Sequence, residues 1–67
     1  MTEIRLNGKP TEVEAGKTVR DLLEELRLDS RWVIAELNGE PLSRDRFETA
    51  TLSPGDRLEL VRPVAGG

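Results

Sequence analysis

Thr18-Val19-Arg20-Asp21-Leu22-Leu23-Glu24-Glu25-Leu26 is the stretch on which the fold turns. Val19, Leu22, Leu23 and Leu26 recur at i, i+3, i+4 and i+7, which places them on one face of a helix. Arg20, Glu24, Glu25 and Arg27 fall elsewhere and should face water. Arg20 and Glu24 are four apart and can pair, a contact worth only about 0.2–0.5 kcal/mol. Thr18 with Asp21 three residues later has the form of a capping box, with Asp where Glu is usual. No other segment carries this period over a comparable length, so one helix must cover whatever sheet the chain builds.

Toward the N-terminus, Glu3-Ile4-Arg5-Leu6 alternates polar and apolar as a half-buried strand does. Asn7-Gly8 follows, and both residues tolerate the positive φ of a tight hairpin turn. Thr11-Glu12-Val13-Glu14 is a weakly apolar return strand, and Pro10 at its start suits a sheet edge. Toward the C-terminus, Leu28-Asp29-Ser30-Arg31 is a short connection. Trp32-Val33-Ile34-Ala35-Glu36-Leu37 has the β-branched and aromatic content of a strand, closed by a second Asn-Gly pair, Asn38-Gly39. Pro41 and Leu42 begin a short return. Ser43 opens a helical turn through Phe47, which tucks inward. Ser53-Pro54-Gly55-Asp56 is a further turn, and Arg57-Leu58-Glu59-Leu60-Val61 is the last strand.

Two strands, a helix, a strand, an irregular crossing and a final strand make a two-layer α+β domain. If the first and last strands are neighbours they run parallel and need a right-handed crossover, which the helix can supply. Ile4, Leu6, Val13, Leu58 and Leu60 then face Leu22, Leu23 and Leu26. That arrangement is a β-grasp, or ubiquitin-like, mixed sheet packed on one main helix; a ferredoxin-like half is built from similar elements. The expected division is a domain over residues 1–62 and a flexible tail over 63–67.

Composition removes several functions. The 67 residues carry 13 acidic and 10 basic side chains, for a net charge of −3, which argues against nucleic acid as a partner. There is no Cys and no His, so neither a zinc site nor a histidine-based triad can be assembled. No apolar run approaches the roughly 20 residues of a membrane span, and the start lacks the apolar stretch of a signal peptide. A soluble, cytoplasmic domain is expected. Without disulfide or metal staples, a chain this short needs one well-formed core, which leaves little room for an enclosed substrate pocket.

Few side chains suggest chemistry. Glu24 and Glu25 read as a solvated helix surface, and Asp56 as support for its own turn. Arg31, Arg44 and Arg46 make at most a small basic patch, and the only aromatics, Trp32 and Phe47, are assigned to the core. There is no glycine-rich phosphate loop and hence no ATP site of the chain's own. The ending, Pro63-Val64-Ala65-Gly66-Gly67, is the exception. At the average Gly usage of roughly 7%, a Gly-Gly end arises by chance in about 0.5% of chains. Domain ends are often frayed. A Gly-Gly end without Cβ atoms can also thread a narrow channel and present a bare carboxylate to another enzyme, and five residues extend roughly 17 Å.

The chain resembles the ThiS family of ubiquitin-like sulfur carriers of thiamine biosynthesis over essentially its whole length. The resemblance rests on Ile4-Arg5-Leu6-Asn7-Gly8, Thr18-Val19-Arg20-Asp21-Leu22-Leu23, Val33-Ile34-Ala35-Glu36-Leu37-Asn38-Gly39, Pro54-Gly55-Asp56 and Val64-Ala65-Gly66-Gly67. The tail and the Gly55-Asp56 turn are shared with MoaD, the related carrier of molybdopterin synthesis. The compact length and Leu37-Asn38-Gly39-Glu40, followed by Arg44 and Phe47, are more similar to ThiS.

The resemblance implies that the chain is not an enzyme but a co-substrate. An E1-like adenylating partner (ThiF-like) would use ATP and Mg²⁺ on the Gly67 carboxylate, and the carrier would bind no cofactor itself. Sulfur from a donor such as a cysteine desulfurase persulfide would leave a thiocarboxylate at Gly67. A thiazole synthase (ThiG-like) would then take the sulfur. Val64, Ala65 and Gly66 would thread the partner's active site. Three other readings stay open: a MoaD-like sulfur carrier for molybdopterin synthesis, a ubiquitin-like modifier joined to lysines through the same adenylate, and an interaction domain with an inert tail. From the period of two, Ile34 and Val61 are expected to point away from the core and form a small docking patch beside the tail.

Overall fold

The computed structural model describes residues 1–63. Its elements are β1 (Thr2–Leu6), β2 (Lys9–Val13), α1 (Val19–Glu25), β3 (Ile34–Leu37), β4 (Glu40–Leu42) and β5 (Arg57–Val61), with single 3-10 turns at Ser30–Trp32 and Arg44–Arg46. The five strands form one mixed sheet in the order β2-β1-β5-β3-β4. β1 and β5 run parallel, Leu6 opposite Leu58, while β3 is antiparallel to β5, Leu37 opposite Leu58. The β-grasp expected from the element order is the observed fold, and Pro10 lies on the edge strand β2.

Both hairpins turn on Asn-Gly. Asn7 and Gly8 have φ of 50° and 83°, and Asn38 and Gly39 have 54° and 85°. Two consecutive positive φ values give the type I′ turn whose twist matches that of paired strands. Each asparagine also reaches β5: the Asn7 Oδ1 accepts from the Leu60 N–H at 2.8 Å, and the Asn38 Oδ1 from the Arg57 N–H at 2.9 Å. The Asn38 Nδ2 donates to Asp56 Oδ1 at 3.0 Å, and Asp56 Oδ2 accepts from the Ser53 N–H at 2.8 Å. Asp56 thus supports its own turn and ties that turn to the second hairpin.

The start of α1 leaves none of its first donors without a partner. Thr18 Oγ1 accepts from the Asp21 N–H and Asp21 Oδ2 from the Thr18 N–H, both at 3.1 Å, completing the capping box. The Val19 and Arg20 N–H groups donate to the carbonyls of Ala50 and Phe47 at 2.9 and 3.0 Å. The segment between β4 and β5 is therefore stitched to the helix, and it delivers Phe47 and Leu52 into a core that also holds Ile4, Val13, Val19, Leu22, Leu23, Val33, Ala35 and Leu58.

Two expectations fail. Leu26 is not packed on the sheet but 43% exposed. Arg27 takes a left-handed φ of 59°, its N–H donates to the Glu24 carbonyl, and the Leu28 N–H donates to the Leu23 carbonyl. This is a Schellman ending, in which the residue after the left-handed one packs back on the helix. Leu28, partly buried against the core, fills that role. Trp32 is likewise not core: it is 64% exposed. Asp29 caps a 3-10 turn at Ser30–Trp32, accepting from the Arg31 N–H at 2.9 Å, so the strand begins only at Ile34 and the turn leaves the indole outside.

Leu23→Ala, which empties a site only 1% exposed, is expected to cost about 2–5 kcal/mol in urea unfolding, whereas Leu26→Ala should cost less than about 0.5 kcal/mol. Arg27→Gly relieves a left-handed residue with a Cβ, about 1–2 kcal/mol, against the extra chain entropy of glycine, about 0.5–1 kcal/mol. A net gain in unfolding free energy is the expected result of the same measurement.

Candidate functional site

β5 occupies the middle of the sheet and leads to Arg62 and Pro63, beyond which the Val64-Ala65-Gly66-Gly67 expectation lies outside the described residues. Alternation along β5 sends Leu58 and Leu60 toward the helix and Arg57, Glu59 and Val61 to the open face. On β3 the buried Ala35 leaves Ile34 and Glu36 on that same open face. The register makes the two sets partners: Ile34 is directly opposite Val61, and Glu36 directly opposite Glu59. Ile34 and Val61 are each 55% exposed, an adjacent apolar pair at the end of the sheet where β5 leaves it.

Two further surface features are not singled out from sequence. Trp32, in the 3-10 turn that precedes β3, is 64% exposed, a third large apolar group on the surface. The alternation that predicts Ile34 outward also carries Glu36, whereas the residue types alone assign Trp32 to the core. Glu36 and Glu59 are also like charges in direct opposition, an arrangement that destabilises a sheet, and no ion pair engages either among the described residues.

The turn before Trp32 is rigidly wired. Arg31 Nη2 donates to Asp29 Oδ2 at 2.8 Å and Arg31 Nε to Asp29 Oδ1 at 3.2 Å. These side-chain bonds, with the capped Arg31 N–H, lower the Asp29 carboxyl to about 2 and raise the Arg31 guanidinium above its ordinary value. The Arg31 guanidinium carbon is 6.0 Å from the Trp32 ring centre. At the helix, the Thr18 N–H and hydroxyl hold Asp21 below the usual carboxylate range.

The remaining candidates are structural. Arg44 Nε donates to the Ser30 carbonyl at 2.8 Å, and Arg31 is engaged by Asp29. The basic side chains Arg31, Arg44 and Arg46 therefore do not converge as one free patch. Arg20 pairs with Glu24 at 3.5 Å, as expected, and also with Glu48. Glu25 pairs with Lys17. Among the described residues no group of three or more His, Cys, Asp or Glu is placed to hold a metal, and no helix is long and apolar enough to cross a membrane. The clefts are open surface depressions; one beside β4 has Val33, Ala35 and Phe47 at its base and Arg44 and Arg46 at its rim.

These features define a β-grasp domain of the ubiquitin-like class, with its C-terminal strand at the sheet centre and an apolar pair where that strand ends. The sequence pattern of the ThiS family matches residues 4–67, and the chain belongs to that family. The crystal structure of the thiamine biosynthesis protein ThiS from Geobacter metallireducens superposes with a TM-score of 0.83 at 35% identity, covering 98% of this chain and 100% of that one. The sulfur carrier protein ThiS of Bacillus subtilis is 34% identical over 65 residues, which is 96% of this chain and 98% of that protein. The thiazole synthase of Paramagnetospirillum magneticum is 37% identical over 62 residues, 92% of this chain. The chain spans only about a fifth of the length of the thiazole synthases it matches.

The Asp29 pKa makes a pH prediction. Because the folded carboxyl binds its proton more weakly than the unfolded one, its contacts with Arg31 are at full strength above the ordinary aspartate value of about 3.9. They are lost as pH falls through about 2. Amide shifts of Arg31 and Trp32 in an NMR titration should hold steady down to about pH 4 and move below it; a midpoint near 4 would contradict the Asp29–Arg31 geometry.

Proposed function

We propose that this protein is a sulfur carrier of thiamine biosynthesis whose reactive group is the C-terminal carboxylate of Gly67. Family membership over nearly the whole chain, 4–67, carries this reading. The composition supports it from the other side: with no Cys and no His in the sequence, the bare carboxylate at a Gly-Gly end is the one chemically distinctive group. The protein is then a co-substrate, and the catalytic residues belong to its partners.

A carboxylate resists nucleophiles because its negative charge is spread over both oxygens. An E1-like, ThiF-like partner with ATP and Mg²⁺ removes that resistance by joining Gly67 to AMP with loss of pyrophosphate. The acyl-adenylate carries a good leaving group. A persulfide sulfur, from a donor such as a cysteine desulfurase, attacks the carbonyl carbon and expels AMP. A thiol then breaks the sulfur–sulfur bond, leaving a thiocarboxylate on Gly67 and a disulfide behind. Thiazole synthase is the acceptor, a role supported by relatives of that name in which a stretch similar to this chain forms part of the protein. Val64, Ala65 and Gly66 form the slim approach to the reactive end. The Ile34–Val61 pair docks the body of the carrier on the adenylating enzyme, so that the tail is presented in one orientation.

Incubation with the adenylating partner, ATP, Mg²⁺ and a sulfur source should exchange one oxygen for sulfur in the intact mass. Tandem mass spectrometry should place the exchange at Gly67. Deleting Gly67 should abolish activation without altering the fold. A C-terminus that stays a plain carboxylate with its cognate partner present, or that appears only in bonds to lysine, would falsify the carrier reading. Ile34→Asp combined with Val61→Asp should leave the circular dichroism spectrum unchanged and weaken binding to the adenylating enzyme; an unchanged affinity removes the pair from the docking surface.

A further inference from the structure

β5 sets the direction in which the tail starts, and the last contact that fixes this direction is at Val61. Val61 is paired with Ile34 of β3, and on the other edge the Leu60 N–H donates to Asn7 Oδ1 at 2.8 Å. Beyond that point the sheet no longer holds the chain. Arg62 and Pro63 are exposed, and among the described residues no backbone hydrogen bond or ion pair reaches either. Two local restraints act there instead. The pyrrolidine ring locks the φ of Pro63 at about −65°. Its Cδ also drives the preceding residue, Arg62, out of the helical region into extended backbone. The peptide bond between them is trans, so the chain runs on from the strand without a partner beside it.

We infer that Pro63 is a positioning residue for the reaction at Gly67: it keeps the base of the tail extended, so that the adenylating enzyme receives a chain already aimed and partly ordered. The inference rests on the carrier reading above. Each residue fixed as the tail enters an active site loses backbone freedom, and a proline has lost most of that freedom beforehand. A proline that merely ended the strand would act on the fold, by denying a further ladder bond. The ladder, however, already closes at Val61 with Ile34, two residues earlier. Exchanging proline for alanine, or alanine for glycine, at a compatible position changes an equilibrium constant about 2- to 5-fold at each step. Because the tail is ordered before its carboxylate reacts, the loss falls on KM and leaves kcat alone.

ATP–pyrophosphate exchange by the ThiF-like partner, with the full chain as the varied substrate, reads both constants. Pro63→Ala should raise KM about 2- to 5-fold and Pro63→Gly roughly 4- to 30-fold, each with an unchanged kcat and an unchanged melting temperature. In nitrogen-15 relaxation of the free chain, the heteronuclear NOE of the Arg62 amide should fall in the same order. An unchanged KM in the glycine variant, or an Arg62 NOE that stays as high as in the parent chain, overturns the inference while the exchange itself keeps the carrier reading standing. A kcat that falls as far as kcat/KM overturns it as well, because the lost interaction would then belong to the reacting state. A clear drop in melting temperature does the same, since Pro63 would then serve the fold. If the partner exchanges pyrophosphate with none of the chains, the parent included, the carrier reading falls and this inference falls with it.

Discussion

The parallel pairing of β1 with β5 is the constraint from which the rest of the domain follows. It brings together segments from the two ends of the described chain, and it leaves each hairpin as a flap on one side of a central strand. Two turn asparagines reinforce the arrangement. Asn7 and Asn38 each spend a side-chain oxygen on a backbone N–H of β5, so the residues that bend the hairpins also hold the middle of the sheet. Remove β5 and β1–β2 has no contact in the sheet with β3–β4. The strand that leads toward the tail is thereby held by β1 at Arg57 and Leu58, by the Asn7 side chain at Leu60, and by β3 from Leu58 to Val61.

The helix is secured by a different economy. Its first donors are shared between its own capping box and the carbonyls of Phe47 and Ala50. A segment with little regular structure is therefore held by the helix terminus, and in return closes the core with Phe47 and Leu52. Both faces of the design leave the open side of the sheet unburdened by structural duty, which is why exposed apolar and like-charged residues can persist there.

The fold was legible because its punctuation is unusually explicit. Asn7-Gly8 and Asn38-Gly39 state both hairpins, Thr18 and Asp21 state where the helix starts, and strict alternation in Arg57–Val61 states which side of β5 is buried. The end of the helix was not legible. A glycine would have marked it, but Arg27 occupies the left-handed position, so Leu26 kept its place in the apolar period although the helix had stopped. Trp32 was misplaced for a related reason: strand propensity counts residue types and does not register that Asp29 can cap a turn just before them. At the candidate site, the outward direction of Ile34 and Val61 followed from a period of two. Their direct opposition did not, because register between strands distant in sequence is set by tertiary pairing.

The central position of β5 has a consequence for how the protein comes into being. During synthesis the two outer hairpins and the helix emerge first, while the strand that must lie between them emerges last. Until then β1 and β3 each present an unpaired edge, and unpaired edges invite association with other chains. The contact that ends this exposure spans nearly the whole described chain, the kind of long loop closure that slows folding. Nascent chains therefore pass through a stage in which the sheet is open at its centre, and release of β5 from the ribosome is the event that seals it.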